Sequence, residues 1–380
     1  MTRPSIVTGM GVVGPCGRGV DALWEALMHG APRAEIAHFE TARLRGAGLI
    51  PGEEDRHGDP DRLLELLVAA AGDALRDARL EPGPSTAIVV GTTDAGGNHL
   101  AHGPGRNGGP PPDPRAAFPG WVAERAAERL GIGGEALTVA TASAAGGCAL
   151  AVARDLLLAG DADAVVAAGV DCVTETAFHG LASLRTLGPQ GCRPFSAERR
   201  GIGISEGAAA IVLEAPGARA GAPARGMLLG AGACNEADHL AAPRPAAVVG
   251  AARAALADAG VSPEEVDLVN AHAAGTPAGD LVEVDALRQV LGERFTDVAL
   301  VSSKGALWHW QGGAGVVEAM ATILSLERDT VAPTLCAEPL DDLDGGDVVL
   351  EARRVAPGLA LSISTGLGGI NAAAVLGRAA

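Results

Sequence analysis

Tyrosine is absent from this 380-residue chain, and Phe and Trp number only five and four. With aromatics at 2% and hydrophobic residues at 48%, the core has to be built from Ala, Val and Leu, and the 54 glycines suit backbones that approach closely. Such a composition disfavours disorder. Positive charge is also short. Twenty-nine Lys and Arg against 46 Asp and Glu leave a formal net charge of −17, which argues against a nucleic-acid surface, because phosphate binding needs clustered cations. The six cysteines (Cys16, Cys148, Cys172, Cys192, Cys234, Cys336) form no CxxC pair. They read as reduced, buried thiols of a cytoplasmic protein, not as a disulfide frame or a metal site. Apolar stretches are broken well short of the ~18 residues a membrane span needs. The N-terminus runs straight into the apolar segment Ser5 to Thr8 with no cleavable signal. The expectation is a soluble cytoplasmic protein.

What is present alternates short apolar runs with Ala/Leu/Arg-rich helical segments, the pattern of an α/β chain with buried strands. Strands are expected at 86–91, 136–140, 164–169, 209–213, 267–271, 298–302 and 359–364. Helices are expected at 60–79, 144–159, 246–259, 281–291 and 315–326. A Pro/Gly-rich loop is expected at 103–120. The Ala/Gly/Pro stretch 215–225 divides the chain into halves 1–220 and 221–380. In the first half a helix leads to TAIVVG and ALTVAT feeds a small-residue helix; in the second a helix leads to VDLVNAH and ALVSSK feeds a Gly-rich one. That is the pattern of a duplicated βα unit, whose chemistry collects at strand C-termini and adjoining helix N-termini.

Gly9-Met10-Gly11-Val12-Val13-Gly14 matches GxGxxG, but no second apolar strand ending in an acid follows within 29–41. A dinucleotide site needs that acid, so the segment reads as a glycine-rich turn with close backbone packing, and no cofactor is expected.

Three segments end apolar runs and carry chemistry-bearing side chains. Ser143, in ATASAAGG, stands at a strand-to-helix elbow near the positive end of a helix. Spacing alone favours a plain N-cap there over a nucleophile. His272, in NAHAAGTPAGD, sits at a strand end beside a Gly/Pro turn, where a structural histidine is the commoner outcome. Lys304, in SSKGALWHWQGGAG, is the single lysine of the chain; every other one of the 29 cations is arginine. Keeping one compact ammonium between a buried strand and a Gly-rich turn points to a need for it.

Taken together, these segments resemble the elongating β-ketoacyl synthases over nearly the whole chain. VTGMGVVGPCGRGVDALWEAL, TASAAGG, CRPFSAERRGIGISEGAAAIVLE, ADHLAAP, NAHAAGTPAGDLVE, KGALWHWQGGAGVVE and STGLGGINAA resemble seven family motifs in order. The resemblance implies a thiolase fold: duplicated βαβαβ halves forming a layered αβαβα sandwich. It also implies a homodimer, or a heterodimer with a related ketosynthase subunit. The implied substrate is an acyl group on the phosphopantetheine of an acyl carrier protein or CoA, with no metal. His272 and His309 fall on the catalytic histidines, Lys304 on the catalytic lysine, Glu283 on its acidic partner and Glu206 on a mid-chain acid. The backbone N–H groups of Ser143 and Thr365 would form the oxyanion hole. Thr276, Trp308, Trp310, Thr365 and Leu367 would line the substrate channel. An acidic carrier would have to dock on a local basic patch such as Arg193, Arg199 and Arg200.

The chain also departs from that pattern. Ser143 stands where the family has its nucleophilic cysteine, Trp308 where it has a glycine, Ala274 where it has a channel threonine, and Thr365 where it has a gatekeeping Phe. Cys148 is no substitute, since helical spacing turns it to another face. A serine ester is less electrophilic toward carbon than a thioester, so acyl transfer to another acceptor is expected in place of decarboxylative condensation. Three other readings remain: a non-condensing subunit resembling chain-length factors, a β-ketoacyl synthase with an engineered Cys-to-Ser change, and a decarboxylase that forms no new bond. The two tryptophans read equally well as core packing.

Overall fold

The computed structural model describes residues 3–36, 46–56, 59, 61–95, 97 and 114–379. Its first half contains strand β1 (Ser5–Gly14), helices α1 (Val20–His29) and α2 (Arg62–Asp77), strand β2 (Thr86–Gly91), helix α3 (Pro119–Leu130), strand β3 (Ala136–Val139), helix α4 (Ala145–Ala159), strand β4 (Ala164–Asp171), helix α5 (Glu175–Ser183) and strand β5 (Gly207–Glu214). The second contains β6 (Gly226–Asn235), α6 (Pro245–Ala259), β7 (Leu268–Asn270), α7 (Gly279–Leu291), β8 (Ala299–Val301), the short α8 (Lys304–Leu307), α9 (Ala314–Glu327), β9 (Leu359–Thr365) and β10 (Ile370–Gly377).

Among the described residues one 12-stranded sheet runs through both halves. Outward from the middle, one arm reads β1-β5-β4-β2-β3 and the other β6-β10-β9-β7-β8; two short strands, Gly17–Arg18 beside β1 and Asp347–Val348 parallel to β8 at its outer edge, complete the twelve. Each arm has two antiparallel pairings followed by two parallel ones. The arms meet where Ser5–Val7 of β1 pairs antiparallel with Gly226–Leu228 of β6. Helices α4 and α9 lie between the arms and touch strands of both, while α2 covers the outer face of the first arm and α6 that of the second. The layers are therefore αβαβα. Strands buried on both faces explain the near-continuous apolar runs such as AIVV and AVVAAGV.

Four expectations change. GMGVVG is part of β1, not a turn. Its glycines let α2 lie directly on the strand: a Cβ on Gly9 would stand 2.2 Å from Ala74 O, and one on Gly11 2.2 Å from Ala70 O. Residues 103–113 of the expected loop lie outside the described residues. Residues 114–120 are a 3-10 turn and the start of α3, with Pro119 at a first-turn position where its missing N–H costs nothing. The segment Ala142–Ala159 is apolar over 18 residues, yet it is a central-layer core helix. Finally, Cys148, Cys172 and Cys192 are buried as expected, but Cys16 and Cys234 are half-buried and Cys336 is exposed.

Candidate active site

Ser143 sits in a single 3-10 turn, Ala142–Ala144, that joins β3 to α4. The turn is forced by Ala142, whose φ of 50° is left-handed for a non-glycine residue. No side chain caps α4, so the Ser143 hydroxyl is not spent on its helix. It lies 2.9 Å from His309 Nε2. Glycines bring α9 to the same point, since a Cβ on Gly315 would stand 2.4 Å from Gly147 N. Two helix N-termini thus meet beside Ser143 and make its surroundings positive.

His272 follows β7 in a loop folded back by two buried carboxylates of α7. Glu283 accepts the N–H groups of His272 (2.6 Å) and Ala273 (2.7 Å), and Asp280 accepts those of Gly275 (3.0 Å) and Thr276 (3.1 Å). Lys304 Nζ lies 3.3 Å from His272 Nδ1 and forms a buried ion pair with Glu318 of α9. With an ammonium donating to Nδ1, neutral His272 carries its own proton on Nε2. The two imidazoles meet edge-on, with centroids 5.2 Å apart.

His309 is held by its backbone. Its N–H donates to Gly203 O (2.8 Å), and its C=O accepts from the Ser205 N–H (2.9 Å). Its Nδ1 has no hydrogen-bond partner among the described residues. Burial, reinforced by the Lys304 charge, holds both imidazoles well below the ordinary histidine range; His309 further lowers His272. Both are therefore neutral near pH 7. Burial pushes Glu283 and Glu318 up to about 7, against the pull of backbone N–H groups on the first and of Lys304 on the second.

Ser143, His272, His309, Thr276, Thr365 and Leu367 line one cleft of about 320 Å³. The Thr276 hydroxyl is also engaged locally, accepting the Gly279 N–H at the start of α7 (3.1 Å). At the closing turn, the Gly366 N–H donates to Ile370 O. That makes Thr365 and Asn371 a non-hydrogen-bonded pair, so the Thr365 N–H points away from β10. The turn rests on the serine elbow: a Cβ on Gly366 would stand 3.0 Å from Thr141 O.

Several assignments need correcting. Lys304 pairs with Glu318, not Glu283, whose two oxygens are occupied by backbone N–H groups. Sequence reasoning missed Glu318, although an acid inside the apolar helix AGVVEAMATILSLE signals a buried partner. Trp308 and Trp310 do not line the cleft. The Trp308 indole fills space left by Gly191 and Gly203 and stacks under Arg33; the Trp310 indole fills space left by Gly14 and Gly207. Glu206 is bound by Arg62 (2.5 Å) and the Ile50 N–H (3.0 Å), deep in the first half. Arg193, Arg199 and Arg200 form no free basic patch. Arg199 is buried on Asp341, and Arg193 is tied to the Glu338 carbonyl. Cys148 is buried, which pushes its thiol up in pKa and away from reactivity.

Comparison with known proteins fits this geometry. Two family models match: "Beta-ketoacyl synthase, N-terminal domain" over residues 50–216 and "Beta-ketoacyl synthase, C-terminal domain" over 225–338. The chain is 32% identical to nodulation protein E of Rhizobium sp. (strain N33), covering 98% of each. It is also 32% identical to 3-oxoacyl-[acyl-carrier-protein] synthase 2 of Staphylococcus aureus (strain COL), covering 97% of each. Among solved structures, the ishigamide ketosynthase/chain length factor superposes with a TM-score of 0.85 at 29% identity, covering 100% of both chains. The chain belongs to the β-ketoacyl synthase family. Its architecture is the thiolase fold of the ketosynthases, the acyl-transferring enzymes of fatty-acid and polyketide assembly.

Proposed function

We propose that this chain moves an acyl group from a carrier-protein or CoA thioester through Ser143 to an acceptor other than a carbon nucleophile. The observation that carries this reading is the 2.9 Å contact between Ser143 Oγ and His309 Nε2, with the serine free of any capping duty. In the first step Ser143 Oγ attacks the thioester carbonyl as its proton passes to His309 Nε2. The C–O bond forms, the C–S bond breaks, and the thiol leaves with that proton. In the second step the acceptor's O–H, N–H or S–H repeats the exchange and releases Ser143. The backbone N–H groups of Ser143 and Thr365 hold the oxyanion, and His272 Nε2–H supplies a further donor. Among the described residues no acid stands behind His309 Nδ1, and burial keeps the ring neutral, so it is a weak base and acylation is slow.

Incubation with acetyl- or longer acyl-pantetheine thioesters, followed by intact-mass measurement, tests this. Wild type gains one acyl mass and Ser143→Ala gains none. An unmodified wild-type chain that turns over no thioester would sink the proposal.

A second reading is favoured by the edge strand β3. All four of its residues are half-buried, and the Thr138 hydroxyl is buried with no hydrogen-bond partner among the described residues. This supports pairing with a second chain, either a copy or a related ketosynthase subunit. In the latter case this chain would serve as a non-condensing partner, and Ser143→Ala would leave the pair's activity intact.

A further inference from the structure

We infer that Asp171, which no motif brings forward, is a positioning residue for His309, an assignment that rests on the Ser143 acyl-transfer reading. Asp171 closes β4 and is completely buried. Its carboxylate gathers donors from two separate stretches of chain. From the loop after β2 it accepts the Thr92 hydroxyl (2.9 Å), the Thr93 N–H (2.9 Å) and the Asp94 N–H (3.1 Å). From the other side it accepts the Gly312 N–H at 2.6 Å. Gly312 lies three residues beyond His309, in the 3-10 turn Gln311–Gly313 that opens α9.

That turn has little other freedom. Gln311 is left-handed at φ 51°, and its side-chain amide donates to Cys172 O, one residue beyond Asp171 (2.9 Å). A Cβ at position 312 would stand 2.6 Å from Thr93 N and 2.8 Å from the Asp171 carboxylate, so only glycine permits the approach. Among the described residues, His309 has no side-chain hydrogen-bond partner but Ser143, and its Nδ1 has none. Apart from the edge contact with His272, its ring is therefore aimed by its backbone. One anchor is the bridge to Gly203 and Ser205 upstream of the turn. The other is the Asp171 clamp downstream. A carboxylate with four donors around it suits the place; a carboxamide would set an NH₂ against backbone N–H groups. Loss of the clamp lets the turn move and lengthens the Ser143–His309 contact, which acts on acylation and not on thioester binding.

Asp171→Asn tests this in the full-length chain with acetyl-pantetheine. The expected result is a 10- to 100-fold fall in the rate of Ser143 acylation, with KM within twofold of wild type. The His309 imidazole ¹⁵N signal, read with labelled histidine and assigned through His309→Gln, should shift with it. Thr92→Val removes one donor on the far side of the clamp and leaves the Gly312 contact, so its acylation rate should fall less than threefold. An Asp171→Asn chain whose His309 signal and acylation rate match wild type overturns the proposal. So does a Thr92→Val chain as slow as Asp171→Asn, because the Gly312 contact would then not be the one that matters. If Asp171→Asn does not fold, Asp171→Glu takes its place: it keeps the charge, but its extra methylene must displace the Gly312 turn, so acylation should slow and the His309 signal should shift, and a match to wild type in both overturns the proposal. If wild type itself forms no serine ester, the acyl-transfer reading fails, while the His309 signal still reports whether Asp171 aims the ring.

Discussion

At the scale of single residues, the chemistry is set by how each polar group is partnered. Ser143 has His309, His272 has Lys304, and Lys304 has Glu318. The depressed pKa of His309 fixes the sign of the pH response. A base held well below 6.5 stays unprotonated as pH falls through 6.5, so Ser143 acylation should remain flat there and decline only at lower pH. Pre-steady-state acylation measured from pH 5 to 8 checks this; because Glu283 and Glu318 titrate at about 7 themselves, the contradicting result is a limb at 6.5 or above that persists in both Glu283→Gln and Glu318→Gln. Removing Lys304 leaves Glu318 buried without its cation. Lys304→Met should cost about 3–5 kcal/mol in a urea melt, and the double change with Glu318→Gln should recover part of it. Ser143→Cys restores a thiol at two helix N-termini, so it should acylate faster than wild type and be alkylated by iodoacetamide ahead of the six native cysteines.

At the scale of elements, Trp308 is informative. It takes φ 60° and ψ −168°, a region held almost entirely by glycine, immediately before His309. That backbone costs about 1–3 kcal/mol, and the buried indole offsets it by filling the space over Gly191 and Gly203. Trp308→Gly relieves the strain but loses the packing. It should destabilise by about 2 kcal/mol in a thermal or urea melt, the difference between about 3–5 for the cavity and about 1–3 of strain released. A stabilised variant would show that the indole contributes little. The expected strands and helices matched the observed ones closely where apolar runs were bounded by turns, as at Thr86–Gly91. Strands β6 (GMLLGAGACN) and β10 (INAAAVLG) were not legible. β10 is buried on nearly every residue and so lacks the two-residue alternation of a half-exposed strand, while β6 alternates in burial but carries Gly, Ala and Leu on both faces, so its residue types do not alternate.

At the scale of the whole molecule, the sheet ends at an edge strand suited to a partner. The chain alone should sediment at twice its own mass if a second copy fills β3, and Thr138→Lys should make it monomeric, since a charge on the edge blocks pairing. A wild-type monomer that dimerises only with a co-expressed ketosynthase subunit would favour the partner-subunit reading. A monomer under both conditions would remove the pairing altogether. The duplicated sheet order also explains why the site lies where it does. Equivalent strand ends from the two arms carry Ser143 after β3 and Lys304 after β8, and α4 and α9 bring them together in the middle layer.

The sequence pointed to Ser143, His272, Lys304 and His309 through seven ordered motifs that resemble one family, and through Lys304 being the single lysine; local context by itself favoured a helix cap at Ser143 and a structural role at His272. Tertiary structure alone decided their partners. Glu318 rather than Glu283 pairs with Lys304, and the tryptophans beside His309 turn into the core. Asp171 reaches Gly312 from 141 positions away. The physical reason is that hydrogen-bond and ion-pair partners are chosen by packing between distant elements, which local periodicity does not encode. The serine cap is the plainest case: locally Ser143 reads as a helix cap, and only the arrival of His309 across 166 positions gives its hydroxyl another use.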